Sequence, residues 1–183
     1  MLFRSKETAH AGVEASLTGH LVLSTLHTNS APETITRLLD IGLDPINFAD
    51  AVIGILAQRL IRTLCKSCKE AYKPEQKEID FIRRHYGDEY IDELNINWSE
   101  LQLHKAVGCP SCNNTGYKGR VGIHELLPIS AKNRNNIYSS ATVEVIAKQG
   151  IEDGMRTLVQ DGIVKVVNGI TDFKQLQAIS NLE

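Results

Sequence analysis

Two pairs of cysteines constrain this chain more than any other feature. Cys65 and Cys68 are separated by two residues, as are Cys109 and Cys112, and residues 69–108 lie between the pairs. A Cys-x2-Cys pair in a tight turn aims two sulfurs at one point. Two such pairs supply the four thiolates of a closed tetrahedral site, which Zn²⁺ binds at about 2.3 Å. The spacing therefore predicts a structural zinc held by Cys65, Cys68, Cys109 and Cys112. A catalytic zinc would need an open position, and four thiolates leave none. Rubredoxin-type iron, two disulfides and four inert thiols are the alternatives. The first residues show no export-signal pattern, which argues against disulfides. Lys66, Lys69, Lys118 and Arg120 lie close in sequence and offset the negative charge of a tetrathiolate. Gly108, Gly116 and Gly119 let backbone N–H groups approach sulfur.

The segment between the pairs is polar, and Asp88 to Glu100 holds five acids and no base. It is too polar to bury a core of its own, so a metal staple is physically useful there. Three parts are expected: residues 1–64, a tetracysteine module over 65–124, and a helical part over 125–183.

The first part reads as α/β. Ala9, Val13 and Leu17 form a helical stripe that Gly19 ends. "HLVLSTLH", residues 20–27, is a continuous apolar run, as in a strand covered on both faces. Ser30 and Glu33 then make a capping-box pattern for a helix that carries Ile35, Leu38 and Leu39 and stops at Gly42. Helix, buried strand and helix in short order predict a largely parallel sheet. Pro45 starts a long helix whose stripe is Ala49, Val52, Ile53, Leu56, Leu60 and Leu64. "GRVGIHELLPIS", residues 119–130, reads as a strand. The remainder reads as helical, with Thr171 capping the last helix.

"TGHLVLSTLHTN", residues 18–29, places a histidine at each end of the predicted strand. In parallel α/β sheets ligands bind beyond the carboxyl ends of strands. His27, Thr28 and Asn29 sit at that end, with Thr25 near the exit, and His20 sits at the other. On spacing alone, two ordinary half-buried histidines are the favoured reading of the stretch.

Charge excludes one class of function. Residues 1–64 carry 5 basic and 6 acidic side chains, residues 65–124 carry 9 and 9, and residues 125–183 carry 6 and 7. No segment has the basic excess that a nucleic-acid backbone demands, so a zinc-knuckle nucleic-acid binder is disfavoured and no nucleic-acid partner is expected. No apolar run approaches the ~18 residues of a membrane span. A soluble, cytoplasmic chain is expected.

"ETAHAGVEASLTGHLVLSTLHTNSAPETITRLLDIG" resembles the ATPases that drive type II secretion and type IV pilus assembly. The resemblance continues through "QRLIRTLC", "CPSCNNTGYKGRVGIHELL" and "GMRTLVQDGIVKVVNGIT", in family order. It implies a RecA-like, P-loop NTPase core and a hexameric motor. It also implies inner-membrane platform proteins as partners, with peripheral attachment to that membrane through them. It places His20 and His27 in a histidine box beside the nucleotide and makes them the candidate catalytic residues. Thr25, Thr28, Asn29 and Arg59 become candidates for nucleotide contact or subunit organisation. The family's phosphate loop, Gly-x4-Gly-Lys-Ser/Thr, has no counterpart here, and the dipeptide Gly-Lys does not occur. Where the family reads Gly-Glu-Ile-Arg-Asp, this chain reads Met1-Leu2-Phe3-Arg4-Ser5. The expectation is a partial RecA-like core lacking its phosphate-loop half, with a zinc-stapled insert and a helical C-terminal part. ATP and Mg²⁺ belong to full-length relatives, and this chain alone is expected to be inactive. A truncated, non-catalytic paralogue acting as a binding module is the alternative, and a swapped dimer is a plausible state for a fragment.

Overall fold

The computed structural model describes residues 5–180. Positions 1–4, including Leu2 and Arg4 of the altered motif, lie outside the described residues. The chain divides into two compact units. One comprises Met1–Ala57 and Glu125–Arg156, the other Gln58–His124 and Thr157–Glu183.

The first unit begins with α1 (Lys6–Leu17). Ser5 caps it, accepting from the Thr8 N–H, and Ala9 and Val13 are buried. α2 (Ala31–Asp40) starts at Ser30, as its sequence predicts, and buries Ile35 and Leu38. The Glu33 side chain accepts from the Asn29 N–H rather than from that of the capping Ser30. α3 (Pro45–Ala51) is capped by Asp44, and α5 (Ala131–Tyr138) and α6 (Val143–Glu152) complete the helices. Their core joins Ala31, Ile35, Phe48, Leu127, Ile137 and Ile146.

In the second unit, β2 (Glu70–Tyr72) pairs antiparallel with β3 (Leu103–Lys105), and α4 (Gln76–Tyr86) lies between them in sequence. The core joins Ile61, Ile82, Leu103 and Ile123 to residues of α7 (Leu158–Val167) and α8 (Phe173–Ser180). Residues of the excursion between the cysteine pairs are thus buried in a core they share with the last two helices. Two further strands, β1 (Gly54–Leu64) and β4 (Tyr117–Pro128), pair with each other. They run antiparallel: the Ile129 N–H bonds the Ile53 carbonyl near one end, and the Cys65 N–H bonds the Gly116 carbonyl near the other.

Four sequence expectations are corrected. The long helix from Pro45 ends at Ala51, because Val52 is extended and residues 54–64 form β1. Ile55, Ala57 and Ile61 turn inward, while Leu56 and Leu60 are 57% and 60% exposed. The apolar residues of this run fit periods of both two and about four, and ladder pairing with β4 decides for two. "HLVLSTLH" is not a buried strand. Leu21 and Leu23 are 78% and 77% exposed, and Thr25 takes part in an isolated bridge. A strand buried on both faces needs flanking strands and covering helices, and among the described residues nothing covers these leucines. The expected parallel sheet is replaced by antiparallel pairs. Finally, Asp172 rather than Thr171 caps α8, its carboxylate accepting from the Gln175 N–H at 3.0 Å. Thr171 is fully buried and donates to the Arg62 carbonyl at 2.8 Å.

Candidate metal centre and histidine box

β1 delivers Cys65 at its end. The turn that follows returns the Cys68 and Lys69 N–H groups to the Cys65 carbonyl at 3.2 and 3.0 Å. The second pair is built on a short 3-10 turn, Pro110–Cys112, closed by the Cys112 N–H on the Cys109 carbonyl. Two glycines make the close approach possible. A Cβ on Gly108 would lie 2.7 Å from the Asn114 carbonyl oxygen, and one on Gly116 would lie 2.6 Å from the Ala106 Cβ. Both take positive φ, 117° and 78°, which a side chain would strain.

The four sulfurs converge. Cys65 and Cys109 are 4.0 Å apart, while Cys68–Cys112 and Cys109–Cys112 are each 3.8 Å apart. All four lie within 4.8 Å of one another. Four thiolates about 2.3 Å from a central ion would stand about 3.8 Å apart, so the cluster fits a tetrahedral metal. A disulfide needs about 2.05 Å, and all four cysteines are free. Burial pushes the Cys112 thiol up, but the N–H groups of Cys109 and Gly116 aimed at its sulfur outweigh burial and bring it below the usual thiol range. Burial pushes Cys68 up. The N–H groups around the Cys112 sulfur thus favour its thiolate form.

The cysteine knuckles are stitched to the turn between α7 and α8. The Leu64 N–H donates to the Ile170 carbonyl at 2.9 Å, and the Lys69 ammonium to the Gly169 carbonyl at 2.7 Å. The Tyr117 hydroxyl donates to Asp172 at 2.6 Å. Burial and that carboxylate push Tyr117 up to about 12. Lys69, read from sequence as a counter-charge for sulfur, therefore also bonds backbone 100 residues away.

The histidine box lies in the first unit. His20 is exposed and turns back on α1, its Nδ1 3.2 Å from the Ala15 carbonyl oxygen and 3.3 Å from the Thr18 hydroxyl. His27 is exposed. Thr25 is exposed at its bridge. Thr28 shares a 2.6 Å hydrogen bond with the Thr34 hydroxyl, and the Asn29 N–H donates to Glu33 at 2.9 Å. Arg59 belongs to the second unit, where it lies on β1 and donates to the Gln58 carbonyl. The structure thus brings Thr28 and Asn29 together at the start of α2 and leaves both imidazoles in solvent.

Glu125 escaped the sequence reading. It is 3% exposed on β4, and its carboxylate accepts from the Ala31 N–H at 2.7 Å. Strand alternation carries the signal: Glu125 falls in step with Ile123 and Leu127, both fully buried.

A family model described as type II/IV secretion system protein matches residues 3–178. The chain belongs to this family. It is 40% identical over 178 residues to the type IV pilus assembly ATPase PilB of Thermus thermophilus, covering 96% of this chain and 19% of that protein. It is 41% identical over 177 residues to the type II secretion system ATPase E of Vibrio cholerae, covering 97% of this chain and 33% of the relative. The chain thus spans a third or less of these relatives' length. Among solved structures, the pilus retraction motor PilT with bound ADP aligns over 97% of this chain and 37% of its own, with a TM-score of 0.60 and 21% identity. The Legionella pneumophila ATPase DotB aligns over 97% and 36%, with a TM-score of 0.60 and 19% identity. These last two likenesses show a shared fold. Among the described residues no helix is long and apolar enough to cross a membrane.

Proposed function

We propose that this chain is the C-terminal portion of a motor ATPase that powers type II secretion or type IV pilus assembly. The observation that carries this is the family match over residues 3–178, joined to about 40% identity with secretion and pilus ATPases. In this reading residues 1–64 belong to a RecA-like core, 65–124 form a zinc module and 125–183 close the C-terminal side. The motor is a homo-oligomer, a hexamer in the family, that works in the cytoplasm against inner-membrane platform proteins.

Zinc is the metal that the four thiolates suit best, and its role is structural because the donor set is closed. His27 approaches the γ-phosphate side of a nucleotide held by the rest of the motor. His20 and Arg59 organise the site or the subunit boundary, and Thr25, Thr28 and Asn29 line it. Phosphoryl transfer relies on positioning and on neutralising charge with a metal and a lysine. The 183 residues hold no Gly-x4-Gly-Lys-Ser/Thr loop to cradle the phosphates. This chain alone therefore neither binds ATP tightly nor hydrolyses it. An ATPase assay on the pure, metal-loaded chain tests this. Background rates are expected, and turnover abolished by His27→Ala would contradict it.

A further inference from the structure

We infer that Glu125 is a positioning residue for the histidine box: its buried carboxylate locks the first turn of α2 and so fixes the loop running from His27 to Ser30. The inference rests on the proposal that this loop faces a nucleotide.

The neighbours of Glu125 on its face of β4, Ile123 and Leu127, are fully buried. A carboxylate beside them is costly unless it is paired or hydrogen-bonded. It accepts from the N–H of Ala31, 94 residues away and the first residue of α2. That N–H is one of the donors a helix leaves unsatisfied at its start, and the positive end of the helix dipole favours an anion there. A second acid completes the arrangement. Glu33 accepts from the Asn29 N–H at 2.9 Å, its own N–H reaches the Ser30 hydroxyl at 3.3 Å, and Thr28 is held to Thr34. At this helix start the Ala31 N–H is thus taken by a carboxylate and the Glu33 N–H by a hydroxyl. It follows that the Asn29, Ala31 and Glu33 amides are engaged within the chain and are not what a ligand at the box would meet.

Amide hydrogen exchange on the ¹⁵N-labelled, metal-loaded chain tests the inference with two substitutions. Glu125→Leu keeps the volume beside Ile123 and Leu127 but removes the acceptor, and Glu125→Gln keeps an acceptor oxygen. In E125L the Ala31, Asn29 and Glu33 amides should exchange at least about tenfold faster, with α5 and α6 unchanged. E125Q should stay within about threefold of the unmodified chain at all three amides. Unchanged rates in E125L, acceleration of Ala31 alone, equal acceleration in E125Q, or equal acceleration across α5 and α6 would each overturn the inference. Should E125L fail to fold, E125Q decides alone: near-unmodified rates support the lock, and a tenfold rise refutes it. No arm uses nucleotide, so failure of the nucleotide proposal would leave this result readable.

Discussion

The Lys69 ammonium donates to the Gly169 carbonyl at 2.7 Å, tying the first cysteine knuckle to the turn between α7 and α8. Two nearby bonds join the same segments: the Leu64 N–H donates to the Ile170 carbonyl, and in the reverse sense the Thr171 hydroxyl donates to the Arg62 carbonyl. The cysteine cluster therefore anchors more than the excursion between its pairs. It also fixes the strand end against which the last two helices are set.

Metal removal should accordingly reach α7 and α8. Binding free energy at a structural zinc is folding free energy. Chelation should raise hydrogen exchange across residues 158–180 along with 65–124, and lower the melting temperature by about 10 °C or more. Calorimetry and exchange mass spectrometry would check this. Loosening confined to residues 65–124 would show that the stitching is incidental.

Gly116→Ala should weaken the centre without removing a ligand. The new Cβ would meet the Ala106 Cβ at 2.6 Å, and the backbone holds a φ of 78°. The Gly116 N–H also donates to the Cys112 sulfur at 3.3 Å. A loss of about 1–3 kcal/mol in stability is expected, with faster metal transfer to a chromogenic chelator. Unchanged transfer would mean that the turn has room to adjust.

Much of this was legible in the sequence, and the exceptions have physical causes. The grouping of the four cysteines, the cap at Ser30 and a strand read over residues 119–130 and observed over 117–128 follow from local spacing and local hydrogen bonds. The run from Val52 to Leu64 does not, because its apolar residues satisfy two periods and only pairing with β4 separates them. The exposure of Leu21 and Leu23 was illegible for a related reason. Composition predicts that such a run can be buried, not that anything covers it. Glu125 could have been found, since an acid in step with Ile123 and Leu127 breaks the inward pattern of β4. Its partner, Ala31, is set by tertiary structure alone.

Acidification should destabilise the second unit through His104. Burial and the Lys69 ammonium hold this imidazole below the ordinary histidine value of 6.5. The unfolded chain then binds the proton more readily than the folded one. Stability is full above about pH 6.5 and falls as pH drops through that value toward the lower folded one. An NMR titration should place the His104 ring below the ordinary histidine value, and His104→Gln should flatten the pH dependence of the melting temperature between about pH 7.5 and 5.5 at constant metal content. A ring that titrates at or above 6.5 would contradict this.

Metal analysis of the purified chain tests the closed four-sulfur centre most directly, with absorption of its cobalt-substituted form as a check on the ligands. About one equivalent of zinc and a tetrahedral tetrathiolate spectrum are expected, both lost when Cys112→Ala removes the sulfur at the heart of the cluster. Less than about half an equivalent of zinc, with no iron in its place, would contradict a closed four-sulfur centre.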